Sequence, residues 1–438
     1  MSKGSTVNSI PFLHKTLAAY RPSRRAFMTQ LSAATLAPRL FAQDHRTDAK
    51  IKRIRLSTLH GKFQKFVAMN AYDTKPKGES YEHTLIRIET DSGVEGIAPA
   101  SYRDLCTAAY AKELKPLIGA KISELYTFSN GRISGRGERF ASLLMANRHL
   151  DCAFYDIAGK LAGKPLWMLI GSEGRERVPV YDSTIYFSDV WFRDRGVAAI
   201  REECAEAIHA GYAGVKIKLG RGDKWMSREE GDRRDIEVTL AARQAIGPTA
   251  LLMADPNYGY RGQYDKAMNL MDQTKPARLL WMEEIFPETP EIYTKFKADL
   301  RAHGNSCKLA FGEHMHALDA IDPYLKPNRL VDYVQYDIRA NGFVDNIAIA
   351  RKCASVGATV DNHNWASQMG YIMSLHMARA LGNYGILECD RSTCDVLRVD
   401  TPEPVKGTVP APSKPGLGIS IDEDVYRINN APNEIVIS

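Results

Sequence analysis

The sequence predicts an α/β fold, a modified TIM (β/α) barrel with an N-terminal α+β capping domain. Three observations carry that expectation. Three apolar runs each end on carboxylates: LLMADPN on Asp255, LLWMEEIF on Glu283 and Glu284, and KLAFGEH on Glu313. They lie 28 residues apart from Asp255 to Glu283 and 30 from Glu283 to Glu313, about one strand-plus-helix unit each. Around them, from about Val178, eight short strand-like runs alternate with helical ones, which is the rhythm of a closed parallel barrel. Ahead of that rhythm, strands are followed by helices without alternation, as in a compact α+β domain. At 438 residues, one barrel plus a smaller domain accounts for the chain.

The first 43 residues stand apart. They hold Lys3, Lys15, Arg21, Arg24, Arg25 and Arg39 and no acid. Ser23-Arg24-Arg25-Ala26-Phe27-Met28, then a mildly apolar stretch and small residues near Ala42, resembles a twin-arginine export signal. Export of the folded protein to the periplasm is the expectation. Beyond the leader, 52 Lys and Arg balance 52 Asp and Glu, so no basic face remains for nucleic acid. No run approaches the ~20 apolar residues that span a membrane, so no membrane partner is expected.

The capping domain is placed at 48–175. Ile51–Thr58 and His83–Thr90 read as strands, and Asp91-Ser92-Gly93 as a hairpin turn before Val94 to Ile97. Residues 103–171 read as helical, notably HLDCAFYDIAGKLAGKPLWMLIG. There Leu150, Ala153, Phe154, Ile157 and Leu161 recur at helical spacing, and Gly163 with Pro165 stops the helix.

The barrel is placed at 178–398, on the runs VPVYDST, GVKIKLG, ALLMADPN, LLWMEEI, LAFGEH, DYVQYDI, ATVDNHNW and YGILECD. The Pro- and Gly-punctuated tail, 399–438, is expected to return to the capping domain. Seven cysteines without a CxxC pair decide nothing; Cys389 and Cys394 are near enough to pair in an oxidising compartment, but buried thiols fit better.

Strand ends at the C-terminal mouth of a barrel are where such folds keep their chemistry. Carboxylates on three neighbouring strand ends suit a hard divalent cation such as Mg²⁺. Lys216 and Lys218 share one face of a strand. Two adjacent, buried ammonium groups would depress each other's proton affinity, so one can serve as a neutral base. Asp337 and His363 sit one βα unit apart, spaced for a carboxylate-oriented imidazole. Glu388 adds a last polar group at the mouth.

Taken together, Lys216-Ile217-Lys218, Asp255-Pro256-Asn257, Glu283-Glu284, Gly312-Glu313-His314, Asp337 and His363-Asn364-Trp365 resemble the enolase superfamily, and within it the mandelate racemase subgroup. Supporting runs are YDIAGKLAGKPLWMLIG, RRDIEVTLAARQAIGP and KPGLGISID, so the resemblance covers nearly everything from residue 50 on. It implies a capping domain over a modified barrel, with Mg²⁺ held by Asp255, Glu283 and Glu313. It implies Lys218 as general base on one face of a small carboxylate substrate and the His363–Asp337 dyad as acid/base on the other. Lys216 would tune Lys218 and contact the substrate carboxylate. Such sites stabilise an enediolate with Mg²⁺.

Acid-sugar dehydration, the commoner activity in the subgroup, is the expected outcome. Racemisation or epimerisation of a 2-hydroxy acid is the alternative, and a non-catalytic exported binding protein is a second one. Assembly into a homo-oligomer is the family's tendency.

Two positions depart from the pattern: Ile285 replaces the usual Pro and Phe343 the usual second Gly, both expected near the mouth. His314-Met315-His316 resembles a zinc HxH motif but follows the fifth strand rather than the first. His314 is therefore read as a substrate contact and His316 as a surface or loop residue. Asn257 is a fourth ligand or a loop brace, Glu284 a supporting group rather than a ligand, and Trp365 a pocket wall or plain packing.

Overall fold

The computed structural model describes residues 49–100, 104–399 and 403–438. The segment 1–43, expected to be an export signal, lies outside the described residues. The capping domain opens with an antiparallel meander of β1 (Ile51–Val67), β2 (Gly78–Thr90) and β3 (Glu95–Pro99). The β2–β3 turn falls at Asp91–Gly93, where Gly93 takes φ +80°.

The first two strands run well past the expected 51–58 and 83–90. Within the extension Gly61 pairs with Tyr81, whose ring fills the place where a Cβ would stand, 2.0 Å away, so glycine carries the strand past that point. The region 103–171 is not all helix either. It contains a hairpin, β4 (Tyr126–Ser129) and β5 (Arg132–Arg136), turned by Asn130 at φ 52° and Gly131 at φ 73°. Asn-Gly is the signature of such turns, and this one was legible in the sequence. The helix α1 (Asp151–Leu161) then buries nearly its whole length between β3 and the barrel.

Eight parallel strands follow: β6 (Arg177–Ile185), β7 (Gly214–Lys218), β8 (Leu251–Asp255), β9 (Trp281–Glu283), β10 (Lys308–Phe311), β11 (Tyr333–Val334), β12 (Thr359–Val360) and β13 (Leu387–Cys389). They hydrogen-bond in chain order, β13 returns to β6, and a Val360–Tyr384 bridge closes the ring. Tyr181, Met253, Trp281, Ala310 and Ile386 fill the interior below the mouth, so the barrel is a packed core.

Helices cross between the strands, the longest being α2 (Arg228–Ile246), while α3 (Ile338–Ser355) is broken near its start at Gly342. The last strand has no helix of its own, which is the modification of the barrel. Instead Arg391 turns the chain at φ 52°, and β14 (Ser392–Thr393) joins β1 antiparallel. The barrel strands thus end at Cys389, and the chain re-enters the capping sheet before residue 398.

The tail divides its allegiance. β15 (Leu397–Val399) pairs with β17 (Ile419–Ile421), β16 (Thr408–Pro410) pairs with β6 of the barrel, and β18 (Ile435–Ile437) pairs with β1. The seven cysteines are all free thiols. No helix among the described residues is long and apolar enough to cross a membrane.

Phe343 corrects a sequence expectation. It stands away from the mouth, tilted against Tyr155 of α1 with ring centroids 5.0 Å apart. Next to it Gly342 takes φ 64°, and an added Cβ would lie 2.1 Å from the Arg148 carbonyl oxygen. Glycine is therefore required there, and the pair locks the capping domain onto the barrel. Ile285, fully buried, is absorbed by the core.

Candidate active site

Each strand end delivers a side chain to the mouth because alternate strand residues face inward. Met253 and Trp281 face the barrel interior, so Asp255 and Glu283, two residues further on, do too. Lys216 and Lys218 do the same on β7, where Lys218 is registered beside Asp255. Past the later strands the functional residues lie just beyond the ends: Glu313 after β10, Asp337 after β11 and His363 after β12.

The lysines are not arranged as the sequence suggested. Lys218 forms a short ion pair with Asp255 and lies 5.2 Å over the Tyr186 ring. Lys216 sits deeper, 2.7 Å from Glu283 and 2.9 Å from Glu388, and is fully enclosed. Burial disfavours both ammonium groups, but Asp255 outweighs it for Lys218, and Glu283 with Glu388 for Lys216, so both pKa values are raised. The mutual depression expected from two adjacent lysines is overridden by carboxylates the sequence did not show as their partners. Glu388 and Lys216 lie under the cavity rather than in its wall, and Glu388 also accepts from the Asn364 amide at 3.0 Å.

Opposite Lys218 stands the dyad. His363 Nδ1 is 2.8 Å from Asp337 Oδ2, and its Nε2 is 3.2 Å from Glu313 Oε2. Asp337 is itself held as the N-cap of α3, accepting from the Ala340 amide at 2.7 Å. Burial works against a charged ring, but Glu313 and Asp337 prevail and hold the imidazole pKa up at about 9.

Acid outnumbers base on this floor. Asp255, Glu283, Glu284, Glu313, Asp337 and Glu388 are all buried, against Lys216, Lys218 and His363. Asp255 stays below the usual carboxylate range, because Lys218 and Lys216 overcome its burial. Glu283 is pushed up to about 7 by burial, despite Lys216, and Glu284 well above its ordinary value by burial and then Glu313.

Glu284, expected as a supporting group, faces the site. Its backbone takes φ 44°, which turns the side chain toward Glu313 and His314, and the ligand atoms of these three lie within 4.8 Å of one another. Glu284 Oε2 and Asn257 Oδ1 are buried without a hydrogen-bond partner. Both oxygens of Glu283, by contrast, accept hydrogen bonds, Oε1 from Lys216 and Oε2 from Trp281 at 3.1 Å and Gln335 at 2.8 Å. Surplus buried carboxylates and orphaned oxygens fit a divalent cation bound by oxygen.

A cavity of about 660 Å³ opens above this floor, with Lys218, Glu313, His314, His363 and Trp365 on its lower wall. Trp365 is a wall residue: its ring stacks between Tyr186 at 4.9 Å and Phe63 at 5.2 Å. His314 is half-exposed, 3.2 Å from Glu313. His316, read as a surface or loop residue, is an exposed loop residue that also lines the cavity, braced by Asn341 at 3.3 Å.

The roof comes from the capping domain, through the β1–β2 loop with Asn70, Tyr72 and Lys77 and the segment 145–149. Tyr72 reaches down to Asn257 Nδ2 at 3.2 Å and Glu313 Oε1 at 3.5 Å. Its loop is strapped by Lys224, which donates to the Tyr72 carbonyl at 2.7 Å, and by Trp225, which donates to that of Asn70 at 2.8 Å. Of the residues the sequence reading passed over, Tyr186 had a signal: it follows β6 as the other site residues follow their strands. The segment 145–149 had none.

Comparison with known proteins agrees with this geometry. Residues 199–425 match the family "Enolase C-terminal domain-like", and residues 76–171 match "Mandelate racemase / muconate lactonizing enzyme, N-terminal domain". The chain is 29% identical over 368 residues to the D-galactarolactone cycloisomerase of Agrobacterium fabrum, covering 80% of this chain and 92% of the relative. It is 26% identical over 372 residues to the D-xylonate dehydratase of Haloferax volcanii, covering 81% and 87%. Among solved structures it resembles a galacturonate dehydratase from Geobacillus sp., with a TM-score of 0.78, 25% identity, and coverage of 90% and 100%.

Proposed function

The chain belongs to the mandelate racemase/muconate lactonizing enzyme family of the enolase superfamily, and from that premise we propose that it dehydrates an acid sugar. The observation that carries the reading is one cavity with a lysine on one side, a carboxylate-oriented histidine on the other, and acids to hold a cation between them. Several relatives named as sugar-acid dehydratases, for D-xylonate, arabinonate and D-mannonate, support it.

Asp255, Glu283 and Glu313 would hold Mg²⁺, with Glu284 offering a further oxygen. Solved relatives have been crystallised with magnesium. Bound there, the cation would supply positive charge for the enediolate that develops when a proton leaves the carbon next to a carboxylate. Lys218 takes that proton, once Asp255 is engaged elsewhere and its pull on the amine falls. His363, protonated at neutral pH, gives its Nε2 proton to the departing 3-hydroxyl from the opposite face, and water leaves. Asp337 keeps the ring aimed and charged. Lys216 holds Glu283 and Glu388 in place under the reacting carbons. Asn257, His314 and Trp365 would contact substrate, with Glu388 setting the charge beneath it.

The same pair of bases on opposite faces also fits racemisation or epimerisation, in which His363 would return the proton to carbon. A screen of mono- and diacid sugars with and without Mg²⁺, scored for 2-keto acid, separates the two. A 2-keto product that needs Mg²⁺ supports dehydration. A change of optical rotation without that product supports the alternative, and no α-proton exchange with solvent on any acid would leave a binding protein. Export by the twin-arginine route belongs to the proposal; retention of a fused reporter in the cytoplasm would refute it. Assembly as a homo-oligomer belongs to it too, and a monomer mass by light scattering would refute that.

A further inference from the structure

The floor and the roof of the cavity differ in how their cations are used. On the floor each cation has its counter-charge: Lys218 with Asp255, Lys216 with Glu283 and Glu388, His363 with Asp337 and Glu313. With a divalent cation added to the surplus acids, that end serves one substrate carboxylate and has nothing to spare for a second. On the roof, Lys77 is likewise matched, by Asp73 at 2.7 Å.

Arg148 is matched in charge too, but along one edge only. Its Nε lies 2.8 Å from Asp345 Oδ2, while Asp345 Oδ1 and the buried Asp151 hold Arg136. The two terminal nitrogens of Arg148 make no hydrogen bond with the described residues, and the side chain lines the cavity at about one-fifth exposure. A guanidinium fork with both outer nitrogens open to a cavity is the geometry that receives a carboxylate.

Its position is fixed. The Arg148 backbone packs directly on Gly342 at the start of α3, so the group is set over the barrel mouth and does not drift with a loop. His316 lines the same cavity, with Nδ1 facing Asn341 and Nε2 left over. His149 stands beside them in the wall, held by the Tyr110 hydroxyl at 2.7 Å.

We infer that Arg148, with His316, forms a second anion subsite, and that the substrate is a sugar diacid carrying a carboxylate at each end. One carboxylate sits at the metal end and the other on Arg148. This rests on the dehydratase reading and narrows its substrate class.

Glucarate and gluconate test it, because they differ only at the far carbon, carboxylate against hydroxymethyl. Calorimetry on full-length, Mg²⁺-loaded Lys218→Ala protein, which should not turn either over, reads binding alone. Glucarate binds at least about 10-fold tighter than gluconate, and Arg148→Met brings the two within about 3-fold, while Arg148→Lys keeps part of the preference. Should Arg148→Met misfold, His316→Ala narrows the ratio instead. Equal binding of the two acids, or of neither, overturns the subsite, as does an Arg148→Met protein that keeps the full preference. If no acid yields a 2-keto product with wild-type protein while glucarate still binds preferentially, the dehydratase reading fails and the subsite stands.

Discussion

The floor and the roof of this cavity are built on opposite principles. The floor is a set of strand ends, each delivering one charged group to a buried, cross-paired network in which every residue constrains its neighbours. The roof is a loop and a helix end from another domain, where polar groups are held singly by a strap or a glycine contact. Chemistry needs the first arrangement, because preorganised charge acts strongly only when desolvated and fixed. Selectivity can use the second, because exchanging a roof residue leaves the network below intact. Changes to the floor should therefore stop turnover, and changes to the roof should redistribute it among substrates.

The largest effects belong to the two bases. Lys218→Ala and His363→Asn should each lower kcat by about 10³-fold or more for the dehydrated acid, while Mg²⁺ still protects the protein in thermal melts. A variant of either kind that keeps near-normal kcat would break the comparison at its root. Next comes the metal. Glu284→Gln should weaken Mg²⁺ binding by about 10- to 100-fold, measured by Mn²⁺ competition, because its unpartnered oxygen has no other purpose. Glu283→Gln should lose affinity too, and in addition loosen Lys216. If only Glu283→Gln matters, Glu284 is the supporting group its sequence position suggested.

The dyad offers a smaller and signed effect. In metal-free protein the His363 ring should titrate near 9 by NMR, against an ordinary value of 6.5, and Asp337→Asn should move it down. A pKa raised on folding contributes stability that is fully present below 6.5 and is lost as pH rises through about 9. The metal-free protein should therefore lose stability over that window, and lose less of it as Asp337→Asn. A ring that titrates near 6.5 would mean that the contacts to Glu313 and Asp337 do not persist in solution. The smallest change is Tyr72→Phe, whose hydroxyl reaches from the roof to Asn257 and Glu313, expected at roughly 1 kcal/mol through the lost hydroxyl contacts. It should appear in KM more than in kcat.

The same contrast explains what could be read from sequence. Eight barrel strands and their acids were legible because each apolar run ends on the residue it presents, and a strand end is a local pattern. The dyad was legible for the same reason, across one βα unit. Pairing was not: nothing local says that Lys216 meets Glu283 and Glu388, or that Asp255 holds Lys218, since these contacts are made across the barrel. The direction of Glu284 was not legible, because it depends on a positive φ after the strand. Arg148 could not be read at all, for its place over the mouth is set by a contact with Gly342 across some 190 residues of chain.

The measurement that bears most directly on the central claim is the fate of the substrate α-proton. Acid sugars incubated in D₂O with the wild-type protein and Mg²⁺ should give a 2-keto-3-deoxy acid by NMR, with neither product nor exchange when Mg²⁺ is withheld or Lys218 is alanine. Product formation that survives both changes, or exchange at no acid under any condition, would contradict it.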